Sequence, residues 1–130
     1  MPLADTSAWI EYLKATGSFE SLRLRRAIAE EEVVVIDPVL LEVMAGTRRD
    51  AILPIRRLLE AQHHEALAPK LDWLDAATIY RELRWQGVTV RSQIDALIAA
   101  VAIRLGVPVL HRDRDFGQIA DHTTLRLVEL

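Results

Sequence analysis

Apolar residues along the chain fall into short β-prone runs separated by longer stretches with helical spacing. Leu3 and Ala4 form an apolar start that reaches Asp5-Thr6-Ser7. Trp9, Ile10 and Leu13 follow at helical intervals, which predicts a strand and then a helix. Across 19–32, Leu22, Ile28 and Ala29 stand among arginines, the pattern of an amphipathic helix that ends in an acidic run. Val33-Val34-Val35-Ile36 is β-branched throughout and predicts a buried strand. Asp37-Pro38 then reads as an N-cap followed by proline at the first helical position, with Gly46 as the stop.

A further helix is expected over 51–62 with Pro54 in its first turn, and a short strand over 65–68. The stretch 72–86 predicts a helix that turns Trp73, Leu74, Ala77, Tyr80 and Leu83 inward and closes at Gly87. Residues 92–105 are almost all apolar and read as a buried helix stopped by Gly106. A strand over 107–110, a short helix over 116–120 and a last edge strand over 125–128 complete the pattern. Strands alternating with helices predict an α/β fold with a parallel sheet covered on both faces.

Composition narrows the function. A chain of 130 residues is expected to form one domain, 1–130, and to bury a core without a staple. It contains no cysteine, which excludes disulfides, thiolate metal sites and cysteine nucleophiles. Neither a basic leader nor an apolar run of roughly 18 residues is present, so a soluble, cytoplasmic protein without a membrane partner is expected. The net charge of −3 advertises no nucleic-acid binding overall. Local basic clusters, such as Arg23, Arg25 and Arg26, or Arg112 and Arg114, read first as solvated helix faces.

The carboxylates at the borders of the apolar elements change the picture. An ionised carboxylate at the edge of a core is costly unless something positive pairs with it. Asp5 follows the first strand, Asp95 lies in the first turn of the most apolar helix, and Asp113 and Asp115 follow the strand after it. Each has a local reading: Asp5 as an N-cap, Ser92-x-x-Asp95 as a capping box, and Asp113 or Asp115 as an Asx-turn or cap. Glu42, inside Val39-Leu40-Leu41-Glu42-Val43-Met44, has no cap to explain it, though a surface glutamate on a half-buried helix would also fit.

In a parallel α/β sheet, strand C-termini and helix N-termini share the edge at which ligands bind, so four of these carboxylates could converge there. Converging like charges raise one another's pKa and call for a cation. Arg91, Arg112 and Arg114 supply only part of that charge. Oxygen donors without cysteine or an ordered histidine cluster favour Mg²⁺ or Mn²⁺ over zinc, and such ions activate water against phosphodiesters. Thr6 or Ser7 could orient water or a carboxylate. His63 and His64 lack zinc-site spacing and read as exposed, His111 as a strand-end residue, and Trp9, Trp73 and Trp85 as core or interface packing.

Asp5-Thr6-Ser7, Leu41-Glu42-Val43-Met44-Ala45-Gly46, Asp95-Ala96-Leu97-Ile98-Ala99-Ala100 and His111-Arg112-Asp113-Arg114-Asp115-Phe116, in this order, make the chain resemble a PIN-domain ribonuclease. Within that family it is similar to the VapC toxins of bacterial VapBC toxin–antitoxin modules. The resemblance implies a three-layer α/β/α sandwich with a mainly parallel central sheet and a metal-dependent endoribonuclease that leaves a 5′-phosphate and a 3′-hydroxyl. It also implies a homodimer held in a hetero-oligomer by a VapB-type antitoxin, through which alone operator DNA would be met.

Carried over position by position, the resemblance makes Asp5, Glu42, Asp95 and Asp113 the catalytic acids. Asp5, Asp95, Asp113 and Asp115 would hold Mg²⁺, with Mn²⁺ as a substitute, and Thr6 would be the supporting hydroxyl. Arg91 and Arg112 stand as RNA contacts or supports of the carboxylates. The expected substrate is structured RNA, transfer RNA first and ribosomal RNA second. The rival readings are a catalytically weak antitoxin-binding and operator-corepressor module, and a metal-dependent phosphatase or DNA nuclease.

Overall fold

Strands only two residues long carry the centre of the molecule, because each is flanked by residues that turn immediately into helix or loop. A computed structural model describes residues 1–129. In chain order the elements are β1 (Leu3–Ala4), α1 (Thr6–Leu13), α2 (Phe19–Ala29), β2 (Val34–Val35), α3 (Asp37–Ala45), α4 (Ile52–Glu60), β3 (His63–His64), α5 (Leu71–Trp85), α6 (Gln93–Leu105), β4 (Val109–Leu110) and α7 (Arg114–His122). A 3₁₀ turn, Arg49–Ala51, leads into α4.

The sheet has the order β3-β2-β1-β4, and every pairing is parallel. Leu3 aligns with Val34 on one side and with Val109 on the other. The chain therefore leaves β1 toward β2 and later returns to β4 on β1's opposite side, which opens a crevice at the strands' C-terminal ends. Leu3, Ala4, Val33, Val34, Val35, Ile36, Val109 and Leu110 are all buried, as expected of parallel strands with helices on both faces. Trp9 and Leu24 from α1 and α2, Ile98 from α6 and Phe116 from α7 are completely buried in the same core. Removing one such side chain costs roughly 3–5 kcal/mol for an aromatic. Among the described residues no helix is long and apolar enough to cross a membrane.

Several sequence expectations need correction. The third strand is His63–His64, not 65–68: the His63 and Glu65 N–H groups donate to the Val33 and Val35 carbonyls. A sheet edge leaves side chains in water, so two exposed histidines suffice there. The strand expected over 125–128 is reduced to one parallel bridge, Val109 to Leu127. Asp37 is not the cap of α3: Ile36 is the N-cap, and the Asp37 carboxylate meets His64 Nε2 at 2.7 Å across the sheet edge. Trp73, Leu74 and Ala77 do not point inward. The buried face of α5 is Asp72, Ala76 and Leu83, while Trp73 and Trp85 are 56% and 66% exposed. With apolar residues on several sides of α5, periodicity alone could not choose the face that meets α6.

α5 and α6 form an antiparallel pair. At its base, Arg104 Nε and Nη2 reach the wholly buried Asp72 carboxylate at 2.8 and 2.9 Å. Burial pushes Asp72 up, yet the hydrogen bonds from Arg104 and from the Ala68 N–H more than offset it and hold the carboxyl below its usual range. At the opposite end, the start of α6 is brought to the crevice.

Candidate metal centre

Each acid arrives at the crevice by a local rule of chain geometry. Asp5 directly follows β1 and caps α1, accepting from the Ala8 N–H at 3.0 Å, so the capping role holds and still leaves the residue at the strand end. Asp113 follows β4 and caps α7, accepting from the Asp115 N–H at 3.0 Å. Asp95 stands in the first turn of α6, whose cap is the Ser92 hydroxyl bonded to the Ile94 N–H. The reciprocal half of the capping box is missing: among the described residues, nothing donates a hydrogen bond to the Asp95 side chain. Glu42 lies on α3, half-buried, and accepts from Thr6 Oγ1 at 2.6 Å.

Asp95, Asp113 and Asp115 each present an oxygen within 4.8 Å of the other two. Asp5 and Glu42 stand outside that group of three but close enough to act on it electrostatically. Burial first, and then the charges of Asp113, Asp5, Glu42 and Asp115, push the Asp95 carboxyl up to about 7. Burial also raises Asp5, to about 6; hydrogen bonds from Ala8 and Ser7 oppose the rise and the charge of Asp113 adds to it. Asp95 is thus 8% exposed, without a hydrogen-bond donor, and surrounded by carboxylates. That environment suits a cation. An all-oxygen donor set with no thiolate or imidazole fits Mg²⁺ or Mn²⁺.

The remaining polar contacts orient the acids. Arg91, just before α6, donates from Nη2 to Asp113 Oδ1 at 2.8 Å, and from both its backbone N–H and Nε to Asp115 Oδ2 at 3.1 Å. One oxygen of each aspartate is thereby committed to Arg91, and among the described residues its other oxygen receives no hydrogen bond. The Ser7 hydroxyl bridges the Asp5 carboxylate, and itself accepts from the Arg112 N–H at 2.8 Å. These two contacts tie the ends of β1 and β4 together.

The Arg112 guanidinium points elsewhere, to Glu20 at 3.1 Å and Glu11 at 3.6 Å. His111 packs against Phe116 at 5.4 Å between ring centres, and burial lowers its pKa, which keeps it neutral at the strand end. The sequence offered Arg91 as an RNA contact or a support of the carboxylates and Ser7 as a hydroxyl able to orient one, without saying which acids they meet. Their bonds join residues far apart in the chain, as Arg91 to Asp115 and Ser7 to Arg112 do, and no local pattern announces such pairs.

Comparison with known proteins gives a consistent picture. The PIN domain family model matches residues 3–122. A VapC ribonuclease of Mycobacterium bovis is 41% identical over 129 residues, covering 97% of this chain and 96% of the relative. Ribonuclease VapC11 of Mycobacterium tuberculosis matches with the same identity and coverage, 41% over 97% and 96%. Among solved structures, VapBC2 from Rickettsia felis bound to a DNA fragment from their promoter superposes with a TM-score of 0.74 at 17% identity, covering 98% of this chain and 97% of the other. The Mycobacterium tuberculosis VapC20, a sarcin-ricin loop cleaving toxin, superposes with a TM-score of 0.64 at 21% identity, over 100% and 98%. At those identities the structural likeness is one of fold.

Proposed function

The chain belongs to the PIN-domain family, in its VapC branch, and from that premise we propose that it is a toxin of a type II toxin–antitoxin module acting as a Mg²⁺- or Mn²⁺-dependent endoribonuclease on structured RNA. The observation that carries this reading is Asp95: a buried carboxylate without a donor, aimed into a crevice where Asp113 and Asp115 already converge. Asp95, Asp113, Asp115 and Asp5 are the proposed metal holders. A bound divalent ion supplies charge neutralisation at the scissile phosphate and lowers the pKa of an attacking water.

The chain's own groups do the positioning. Thr6 fixes one oxygen of Glu42, which leaves the rest of that carboxylate to orient water or take its proton. Ser7 holds Asp5 against the end of β4, and Arg91 keeps Asp113 and Asp115 in one arrangement before any ion arrives. Transfer RNA is the first substrate class and ribosomal RNA the second, since both offer loops whose unpaired bases a protein can read. The sarcin-ricin loop activity named for a neighbour of the same fold is compatible with the second.

The partner is a small VapB-type antitoxin. Its site is the apolar groove between α1, α2 and α4, walled by Tyr12, Leu13, Leu22, Ile55 and Leu58, with Leu22 56% exposed. A tail of that partner reaching the crevice with an arginine would compete with metal for the carboxylates.

The test is RNA cleavage by purified, antitoxin-free protein, with the new 5′ ends sequenced. Cleavage in Mn²⁺ or Mg²⁺ that stops in EDTA is expected. Cleavage that persists in excess chelator, in a preparation cleared of contaminating nucleases, overturns the metal mechanism. Antitoxin binding with no cleavage in either ion favours the binding-module rival, and preference for duplex DNA favours a DNA nuclease.

A further inference from the structure

On the far side of α6 from the acids lies a second concavity of about 390 Å³ between α5 and α6. Its floor is small and apolar, with Ala76 and Leu97 buried, and its walls are aromatic, with Trp73 and Tyr80. Arg81, Arg84 and Gln93 form the rim, and no carboxylate lines it among the described residues. The rim arginines are held over aromatic rings and not over acids. Arg84 lies 5.8 Å from the Tyr80 ring centre, and Arg81 lies 5.4 Å from that of Trp85. Among the described residues neither is in an ion pair, whereas Arg91, Arg104 and Arg112 all are.

Ile94, which lines this cleft, is the residue immediately before Asp95, so the cleft and the acids share the first turn of α6. The helix itself, about 10–12 Å across with its side chains, stands between the two. We propose that this cleft receives an unpaired base of the RNA flanking the cleavage site, stacked on Trp73. Arg84 and Arg81 face the neighbouring phosphates and Gln93 the base edge. The proposal rests on the ribonuclease reading for its substrate class. Charge favours RNA as occupant: an aromatic cleft rimmed by two guanidiniums without acidic partners among the described residues, across α6 from the acids, is complementary to stacked base and phosphate. An all-apolar partner would leave those guanidiniums unpaired.

The experiment uses the intact chain in EDTA with a short unstructured RNA of mixed sequence. Trp9 is fully buried, so quenching of tryptophan fluorescence by the RNA reports Trp73 and Trp85. The RNA is expected to quench. Trp73→Leu should remove most of the quenching and weaken binding about tenfold, the usual scale for losing one stacked base. Arg84→Ala should weaken it less and lower the dependence on salt by about one phosphate contact. In Mn²⁺, Trp73→Leu should raise KM for RNA with kcat within about twofold, because the acids are untouched.

Wild-type quenching and affinity in Trp73→Leu would overturn the proposal. So would a concentration-dependent dimer that Trp73→Leu dissociates while RNA affinity per chain stays unchanged, since the cleft would then be a self-association surface. Quenching through Trp73 with no RNA cleavage in either metal leaves the base cleft standing and removes the ribonuclease reading, so the two fail separately.

Discussion

At the scale of the residue, the acids differ in what else they do, and substitution separates those roles. Asn caps a helix nearly as well as Asp but carries no charge. Asp5→Asn and Asp113→Asn should therefore keep the fold and nearly abolish cleavage, with the melting temperature in EDTA level or higher. Asp95 caps nothing, so Asp95→Asn should stabilise the metal-free protein most clearly while also removing activity. Cleavage at the wild-type rate by Asp5→Asn and Asp113→Asn would leave them as caps alone.

The titration of the same groups gives an independent check. Asp5 and Asp95 hold protons up to about 6 and about 7, against 3.8 for an ordinary aspartate. Between the unfolded and folded values the native state binds more protons than the unfolded chain, so stability falls as pH rises through that window. In EDTA the melting temperature should drop by several degrees from about pH 5 to about pH 8, and Asp95→Asn should flatten the upper part of the curve. Adding Mn²⁺ should restore the loss at the higher pH, because the ion binds the ionised carboxylates. A melting temperature independent of pH in EDTA would show that neither burial nor mutual repulsion raises these carboxyls in the native protein.

At the scale of the element, the α5–α6 pair decides where Asp95 stands. Asp72 is wholly buried and the Arg104 side chain 30% exposed, so the two partners are not equivalent. Arg104→Ala strands a buried carboxylate and should cost about 3–5 kcal/mol of stability in urea unfolding. Asp72→Asn can still accept from the Ala68 N–H and leaves an arginine that can turn to water, so about 1–2 kcal/mol is expected. Equal costs for the two substitutions would contradict this asymmetry. The sequence showed both helices, but a buried aspartate in a polar-looking segment carried no local mark. Arg104 lies 32 residues away, and only the packing of the two helices brings the charges together.

At the scale of the whole molecule, the groove between α1, α2 and α4 is lined by none of the five acids, so partner binding and chemistry can be separated. Leu22→Glu places a charge in the groove and should prevent co-purification with a VapB-type antitoxin while leaving cleavage within about twofold, since exposed positions tolerate polar substitution. Loss of cleavage together with loss of the partner would mean that Leu22 also supports the fold. By itself, the sequence determined the alternation of strand and helix, the parallel sheet and the acids at element borders. These follow from local spacing, β-propensity and capping chemistry, which act over a few residues. Which face of α5 is buried, that His63 and His64 pair with β2 as β3, and that Arg91 reaches both Asp113 and Asp115 were decided only by tertiary structure. Each depends on which distant segment arrives opposite a given residue, and burial and long-range hydrogen bonding set that outcome after the local elements have formed.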